Sequence, residues 1–258
     1  MNAITIAMGF VVGFLVGLTG VGGAVLMTPF LVLVLKLPPS LAIGTDLTYA
    51  AITKAVGAWQ HWKQKTANTH LVAQLAIGSI PASLAGVTLI TIIRQAGDSA
   101  WMEVLLGRIL AVILILVSLS MIWRAITQRP THSSRPVHVQ RPWWLTAVVG
   151  AVGGVAVGLT SVGSGSIVTA LLITFYQLEA SELVGTDILH AALLTGVSAL
   201  AHIALGNVKL DLVGWLLIGS LPGVLLGSRL VPWLPERWLR GGLGVLVLFS
   251  SAKLLTER

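Results

Sequence analysis

"GLTGVGGAV" fills positions 17–25 and "GLTSVGSGS" fills positions 158–166. The two stretches begin 141 residues apart, and each lies inside a long apolar run. Residues 1–35 contain no Asp, Glu, Lys or Arg, and neither do residues 142–178. A bilayer-spanning helix needs about 20 mostly apolar residues. Each uncharged run is therefore long enough for more than one segment, and the glycine cluster marks the break between them.

The same pattern extends outward along the chain. Apolar segments occur at about 3–19, 24–36, 40–62, 70–93 and 101–124, then at 143–160, 165–178, 182–205, 211–231 and 238–255. The chain is 55% hydrophobic and 10% charged, with mean hydropathy +0.92. A soluble domain carries roughly 25% charged residues. The sequence thus predicts an all-α, polytopic membrane protein. Short alternating strands, the mark of a β-barrel, are missing. The first ten residues carry no basic side chain, so the N-terminus reads as a membrane segment rather than a cleaved signal.

The two halves align without a gap. Gly17-Leu18-Thr19 matches Gly158-Leu159-Thr160, and Val21-Gly22 matches Val162-Gly163. Gly44-Thr45-Asp46 matches Gly185-Thr186-Asp187, His61 matches His202, and Gly78-Ser79 with Pro81 matches Gly219-Ser220 with Pro222. Chance similarity between apolar helices aligns leucines, not aspartate, proline and histidine in one register. We read a duplication: repeat one at 1–127, a polar, proline-punctuated basic linker at 128–142, and repeat two at 143–258.

Five crossings per half invert the second copy, as do three crossings plus a re-entrant hairpin, and both remain open. The charges agree with inversion. The loop at Lys63 and Lys65 is basic while its counterpart at 207–211 is nearly neutral; the loop at Arg94 and Asp98 is neutral while its counterpart carries Arg229, Arg237 and Arg240. With basic loops inside, the linker is cytoplasmic and both termini lie outside, in a bacterial-type inner membrane. The net charge of +7 then reflects topology, and no nucleic-acid partner is expected. Zero cysteines exclude disulfides, thiolate metal sites and cysteine nucleophiles. No cofactor or metal is expected.

Irregular backbone inside a bilayer is tolerated only where protein buries it or a wet cavity borders it. A half-helix that starts after such a break points its free N–H groups and positive dipole end at whatever lies there. Glycine lets a ligand come close. Thr19, Gly20, Val21, Gly22 and Gly23, with Thr160, Ser161, Gly163, Ser164, Gly165 and Ser166, are accordingly candidate anion-binding positions, expected to face each other near the midplane. The small-residue patterns "PASLAG" (81–86) and "PGVLLG" (222–227) read instead as helix packing. They suit a homodimer as readily as contacts within the chain.

Ionisable residues inside a membrane are costly and mark pathways. Asp46 and Asp187 read either as pathway carboxylates or as N-caps of restarted helices, with Thr45 and Thr186 beside them as substrate ligands. Lys54 has no counterpart, because position 195 is threonine. It reads as an attractive charge for an anion or as the partner of another segment. Arg108 reads as a snorkelling side chain. His190 follows Asp187 by three residues, on the same helix face, and suits either proton transfer or a polar interhelical contact. His61 and His202 read as interfacial anchors, or as gates.

At this point the motifs are familiar. "GLTGVGG", then "PFL" (29–31), then "AIGTDLTYAAITKAVGAWQH" (42–61), repeated through the second half, resemble the TauE/SafE family of sulfite and organosulfonate exporters and permeases. The resemblance covers almost the whole chain. It implies passage of a small sulfur oxyanion, sulfonate or related anion by a secondary transporter. The family's glycine run tends toward a denser GxGGG, whereas the second copy here is Gly163-Ser164-Gly165-Ser166. Two other classes stay open. An intramembrane hydrolase would use Ser164 or Ser166, but no G-x-S-x-G occurs. A metal-cation carrier would want more converging carboxylates and histidines than Asp46, Asp187, His190 and His202 supply.

Overall fold

The computed structural model describes residues 2–19, 23–95, 99–127, 142–163, 165, 167–176, 178–230 and 236–256. Among them are ten helices and no strand: α1 (Asn2–Thr19), α2 (Ala24–Leu33), α3 (Pro39–Lys63), α4 (Thr69–Gln95), α5 (Ser99–Thr127), α6 (Trp143–Thr160), α7 (Ile167–Phe175), α8 (Ala180–Ala204), α9 (Leu210–Leu230) and α10 (Glu236–Thr256). Each apolar segment of the sequence becomes one helix, with ends moved by a few residues. The linker at 128–141 lies outside the described residues.

Among the described residues, five helices are long and apolar enough to cross a membrane, within α4, α5, α6, α8 and α9; shorter apolar stretches lie in α1, α2 and α10. Large apolar side chains face outward along them, Leu116, Leu200, Leu225 and Phe249 among them. Such a surface is stable against lipid and not against water. Trp59, Trp62, Trp101, Trp123, Trp143 and Trp144 are exposed near helix ends, where amphipathic rings suit the headgroup level. The protein is a multi-pass all-α membrane protein.

α2 and α7 are short, 10 and 9 residues, or about 15 Å at 1.5 Å per residue. That is half a hydrocarbon core of about 30 Å. Pro39 opens α3 behind Pro38; residues that precede proline avoid the α region, so α2 cannot run on into α3. Pro29, Pro81 and Pro222 lie inside helices.

The packing is reciprocal between the halves. α1 lies along α9, and α4 along α6, which are the same pair with the halves exchanged. A methyl group on Gly78 would overlap the Ala147 carbonyl oxygen, and one on Gly219 the Ile6 carbonyl oxygen. Gly13 rests against Ser220 as Gly154 rests against Ser79, and Gly9 against Leu216 as Gly150 against Leu75. Every one of these contacts repeats at the offset of 141. Exchange of contacts in this manner is the signature of a twofold relation. The stripe at 222–227 is spent inside the chain, with Gly223 and Gly227 against Phe10 and Phe14.

Direction follows from the same contacts. α1 and α9 run parallel, since Gly9 meets Leu216 and Gly13 meets Ser220. The equivalent helices α3 and α8 run antiparallel: Gly44 meets Asn207 and His202, while Gly57 meets Ile188. The equivalent helices α5 and α10 do likewise, with Gly244 at Ser118 and Ile122 and Gly241 at Ala125.

The two Gly-Thr-Asp triplets owe their composition to this packing. Gly44 leaves room for the Asn207 carbonyl, and Gly185 for Thr66. The Thr45 hydroxyl accepts from the Lys209 backbone N–H at 3.1 Å; that of Thr186 accepts from the Asn68 N–H at 3.0 Å. Each threonine thus ties down the loop that follows the partner half's long helix. The two loops turn alike, through Lys65 (φ 55°) and Gly206 (φ 71°). Replacing one hydroxyl leaves one loop N–H without its protein acceptor, at a cost of about 0.5–1.5 kcal/mol, the net worth of a typical hydrogen bond. Thr45→Val and Thr186→Val are expected to lower the thermal stability of the detergent-solubilised protein by similar amounts. The double variant should show their sum, because the sites share no partner.

Candidate functional site

The break between α6 and α7 begins with Ser161, the C-cap of α6, in the left-handed region at φ 64°. Gly163 follows at φ 125°, a conformation that glycine takes without strain. Ser161 is almost fully buried, and its hydroxyl donates to Asp46 Oδ2 at 2.8 Å. Thr28, in the middle of α2, donates to the same oxygen at 2.5 Å. The carboxylate of Asp46 is fully buried, and its Oδ1 has no hydrogen-bond partner among the described residues. Elements of both halves therefore converge on one carboxylate: α2 and α3 from the first, the α6–α7 break from the second.

Asp187 occupies the equivalent place on α8. Thr169 of α7 lies beside it, as Thr28 lies beside Asp46, and its Oδ1 also lacks a hydrogen-bond partner among the described residues. Lys54 is close enough to both carboxylates to interact with each electrostatically. The antiparallel register puts Lys54 near the crossing of α3 and α8, close to the level of its own equivalent, Thr195. One ammonium is thus shared between two carboxylates related by the duplication.

The next turn of each helix carries a further polar pair. His190 Nε2 and Ser79 Oγ are 2.9 Å apart, fully buried. The equivalent residues are Tyr49 and Ser220, but Ser220 Oγ is buried with no hydrogen-bond partner among the described residues. His190 Nδ1 has no partner among the described residues, so no carboxylate holds the ring. The structure thus gives His190 a polar contact between α8 and α4. His202 is fully buried and its Nε2 donates to the Gly158 carbonyl at 3.4 Å. It is therefore no interfacial anchor. His61, half-buried, bonds Thr66 Oγ1 through Nδ1 at 2.8 Å. The inequality arises because the α6 backbone covers His202.

One further expectation changes. Asp46 does not cap a restarted helix: α3 runs unbroken from Pro39 to Lys63, with Pro38 as its N-cap, and the carboxylate accepts from hydroxyls. Asp187 likewise lies inside the unbroken α8. Thr45 and Thr186 hold loop backbone, the N–H groups of Lys209 and Asn68. Thr160 donates to its own helix at Ala156 and takes a bond from the Val162 N–H. Gly23 lies against Tyr49 and Val16, and the Gly165 carbonyl accepts from Thr169. Thr19 closes α1; its side chain, together with Gly20, Val21, Gly22, Ser164 and Ser166, lies outside the described residues. Arg108 is exposed on α5, as a snorkelling side chain should be.

Thr28 and Thr169 were not singled out from the sequence. Their signal was the shared offset of 141, which makes them equivalent to one another inside otherwise apolar short helices. Among the described residues no group of three or more His, Cys, Asp or Glu is placed to hold a metal ion.

The arrangement suits solute passage better than bond cleavage: buried hydroxyls, two carboxylates and one ammonium, shared between two halves. Relatives agree with that reading. The chain is 42% identical over 259 residues to "Probable membrane transporter protein YjnA" of Bacillus subtilis (strain 168), covering 99% of this chain and 100% of that protein. It is 26% identical over 250 residues to "Probable membrane transporter protein YdhB" of the same organism, covering 93% and 97%. A "Probable membrane transporter protein" of Xylella fastidiosa (strain Temecula1 / ATCC 700964) is 27% identical over 237 residues, 88% of this chain and 84% of that protein. No solved structure matches the chain. The family model described as "Sulfite exporter TauE/SafE" matches residues 5–254, and the chain belongs to that family of membrane transporters.

Proposed function

We propose that this protein is a secondary transporter that moves a small anion, such as sulfite or an organosulfonate, across a bacterial-type inner membrane by alternating access. The observation that carries the reading is the antiparallel, reciprocal packing of α3 against α8 around Asp46, Lys54 and Asp187. Two inverted copies of one unit have two equivalent ways to lean on each other, one open to each side. In this reading the linker is cytoplasmic and the termini lie outside, and the anion binds at the glycine breaks, beside the layer that holds Asp46, Lys54 and Asp187.

The test is flux in proteoliposomes loaded with radiolabelled sulfite, sulfoacetate, methanesulfonate or a simple carboxylate. Saturable flux of at least one sulfur anion is expected, and it should survive Ser164→Ala. Gly163→Val should reduce it about tenfold or more, since holding a branched residue in that backbone region costs of order 1–3 kcal/mol. Peptide or ester cleavage without flux would return the protein to the hydrolase class.

A further inference from the structure

The second glycine break already has an anion beside it, and that anion belongs to the protein. Ser161, the first residue of the break, donates to Asp46. A substrate that takes its place at the break therefore meets a carboxylate in a buried, low-dielectric layer, where like charges repel far more strongly than in water. The neighbouring charges do not compensate. Asp46 and Asp187 bring two negative charges and Lys54 one positive. A bound monovalent anion raises the excess to two buried negative charges, and uncompensated buried charge is among the costliest arrangements a protein can hold.

Among the described residues, the groups on the neighbouring elements do not balance the sum; Lys209, whose backbone bonds Thr45, is exposed. Tyr49 on α3 is a buried neutral phenol near Ser220 of α9. From α8 come the imidazoles of His190 and His202, turned to Ser79 and to the Gly158 carbonyl. From α5 comes Glu103, engaged by the hydroxyl and backbone N–H of Ser40. The described part of α2 holds no ionisable residue, and Asp211 of α9 is exposed. The direct way to remove one charge is a proton on a carboxylate. Asp46 and Asp187 each have an oxygen, Oδ1, that is buried and without a hydrogen-bond partner among the described residues.

We propose that a proton is the second ligand of this site. The aspartate next to the bound anion carries it, and Lys54 pairs with the aspartate that stays ionised. The inference rests on the anion-transport reading above. The proton comes from water on the side to which the site is open and leaves to water on the other side. No bond to the substrate forms or breaks. The duplication gives the device two equivalent carboxylates, one in each half, and one lysine near the crossing serves both.

The test uses the whole protein in vesicles that enclose a pH-sensitive dye, with radiolabelled sulfite, sulfoacetate and methanesulfonate as probes. Methanesulfonate stays ionised, so a proton that accompanies it must ride on the protein. Inward methanesulfonate flux is expected to acidify the lumen. An inward proton gradient of about one pH unit should drive about tenfold accumulation if one proton moves with one monovalent anion. Asp46→Asn and Asp187→Asn should each cut gradient-driven accumulation about tenfold, and Asp46→Glu should recover part of it. Flux of methanesulfonate with no change of lumenal pH overturns the proton proposal and leaves the anion reading intact. Full gradient-driven accumulation in both Asn variants overturns the assignment of the proton to these residues. No flux with any of the probes overturns both readings. Should an Asn variant fail to fold, the dye measurement on the unaltered protein decides by itself.

Discussion

Lys54→Met is expected to reduce anion flux at least about a hundredfold while the protein still inserts and purifies. Lys54 interacts with Asp187 and, more weakly, with Asp46. Methionine keeps the length and the apolar stem but leaves both carboxylates without their common cation. Removing one partner of a buried ion pair typically costs about 3–5 kcal/mol, a factor of hundreds to thousands in any equilibrium that needs the pair. The protein's response is to neutralise a carboxylate permanently, which preserves the fold and removes the charge cycle. Flux in vesicles, with thermal unfolding as the control for folding, separates the two effects. The duplication supplies a sharper form of the test. Thr195 is the equivalent of Lys54, and its hydroxyl is spent on the Ala191 carbonyl of its own helix. The double variant Lys54→Thr with Thr195→Lys moves the cation to the other half at the same level of the crossing. Partial recovery of flux relative to Lys54→Met is the expected result. Flux as low as that of Lys54→Met would mean that Lys54 acts through a contact specific to α3.

The second large effect is on the fold. Gly78→Val is expected to abolish recovery of monodisperse protein, and Gly219→Val to do the same. A first side-chain carbon at either position falls on a backbone carbonyl oxygen, of Ala147 or of Ile6. Backbone inside a helix cannot step aside as a side-chain tip can, so α4 must separate from α6, or α9 from α1. Overpacking a well-filled interior costs typically 1–3 kcal/mol, and here the displaced group is rigid. Close backbone approach is also the main source of helix association in lipid, where no hydrophobic force between helices exists. Gly214→Ala is the control. Nothing lies within 4 Å of the added carbon, and the change should be neutral or slightly stabilising by size-exclusion chromatography and thermal unfolding.

Much of this molecule is legible in its sequence, and the reason is physical. Bilayer solvent demands apolar helices of set length, so runs of uncharged residues became α1 to α10 with only their ends adjusted. Duplication preserved rare residue types at one offset, so Gly44-Thr45-Asp46 and Gly185-Thr186-Asp187 declared themselves equivalent before any contact was known. The special place of Lys54 was legible too, because threonine stands at its counterpart.

The partners were not legible, because they are set across helices rather than along them. Asp46 takes its hydroxyls from Thr28, 18 residues before it, and from Ser161, 115 residues after it. Thr45 holds the backbone N–H of Lys209, 164 residues away. His61 and His202 are equivalent at the offset of 141, yet one is half-buried beside a loop threonine and the other is sealed under α6. The sequence alone determined which residues are equivalent and which segments lie in lipid, since both follow from local composition and from the copy. Only the tertiary structure decided which of those polar groups satisfy the backbone and which stay available to a solute, since a buried hydroxyl takes whichever partner the packing brings within reach.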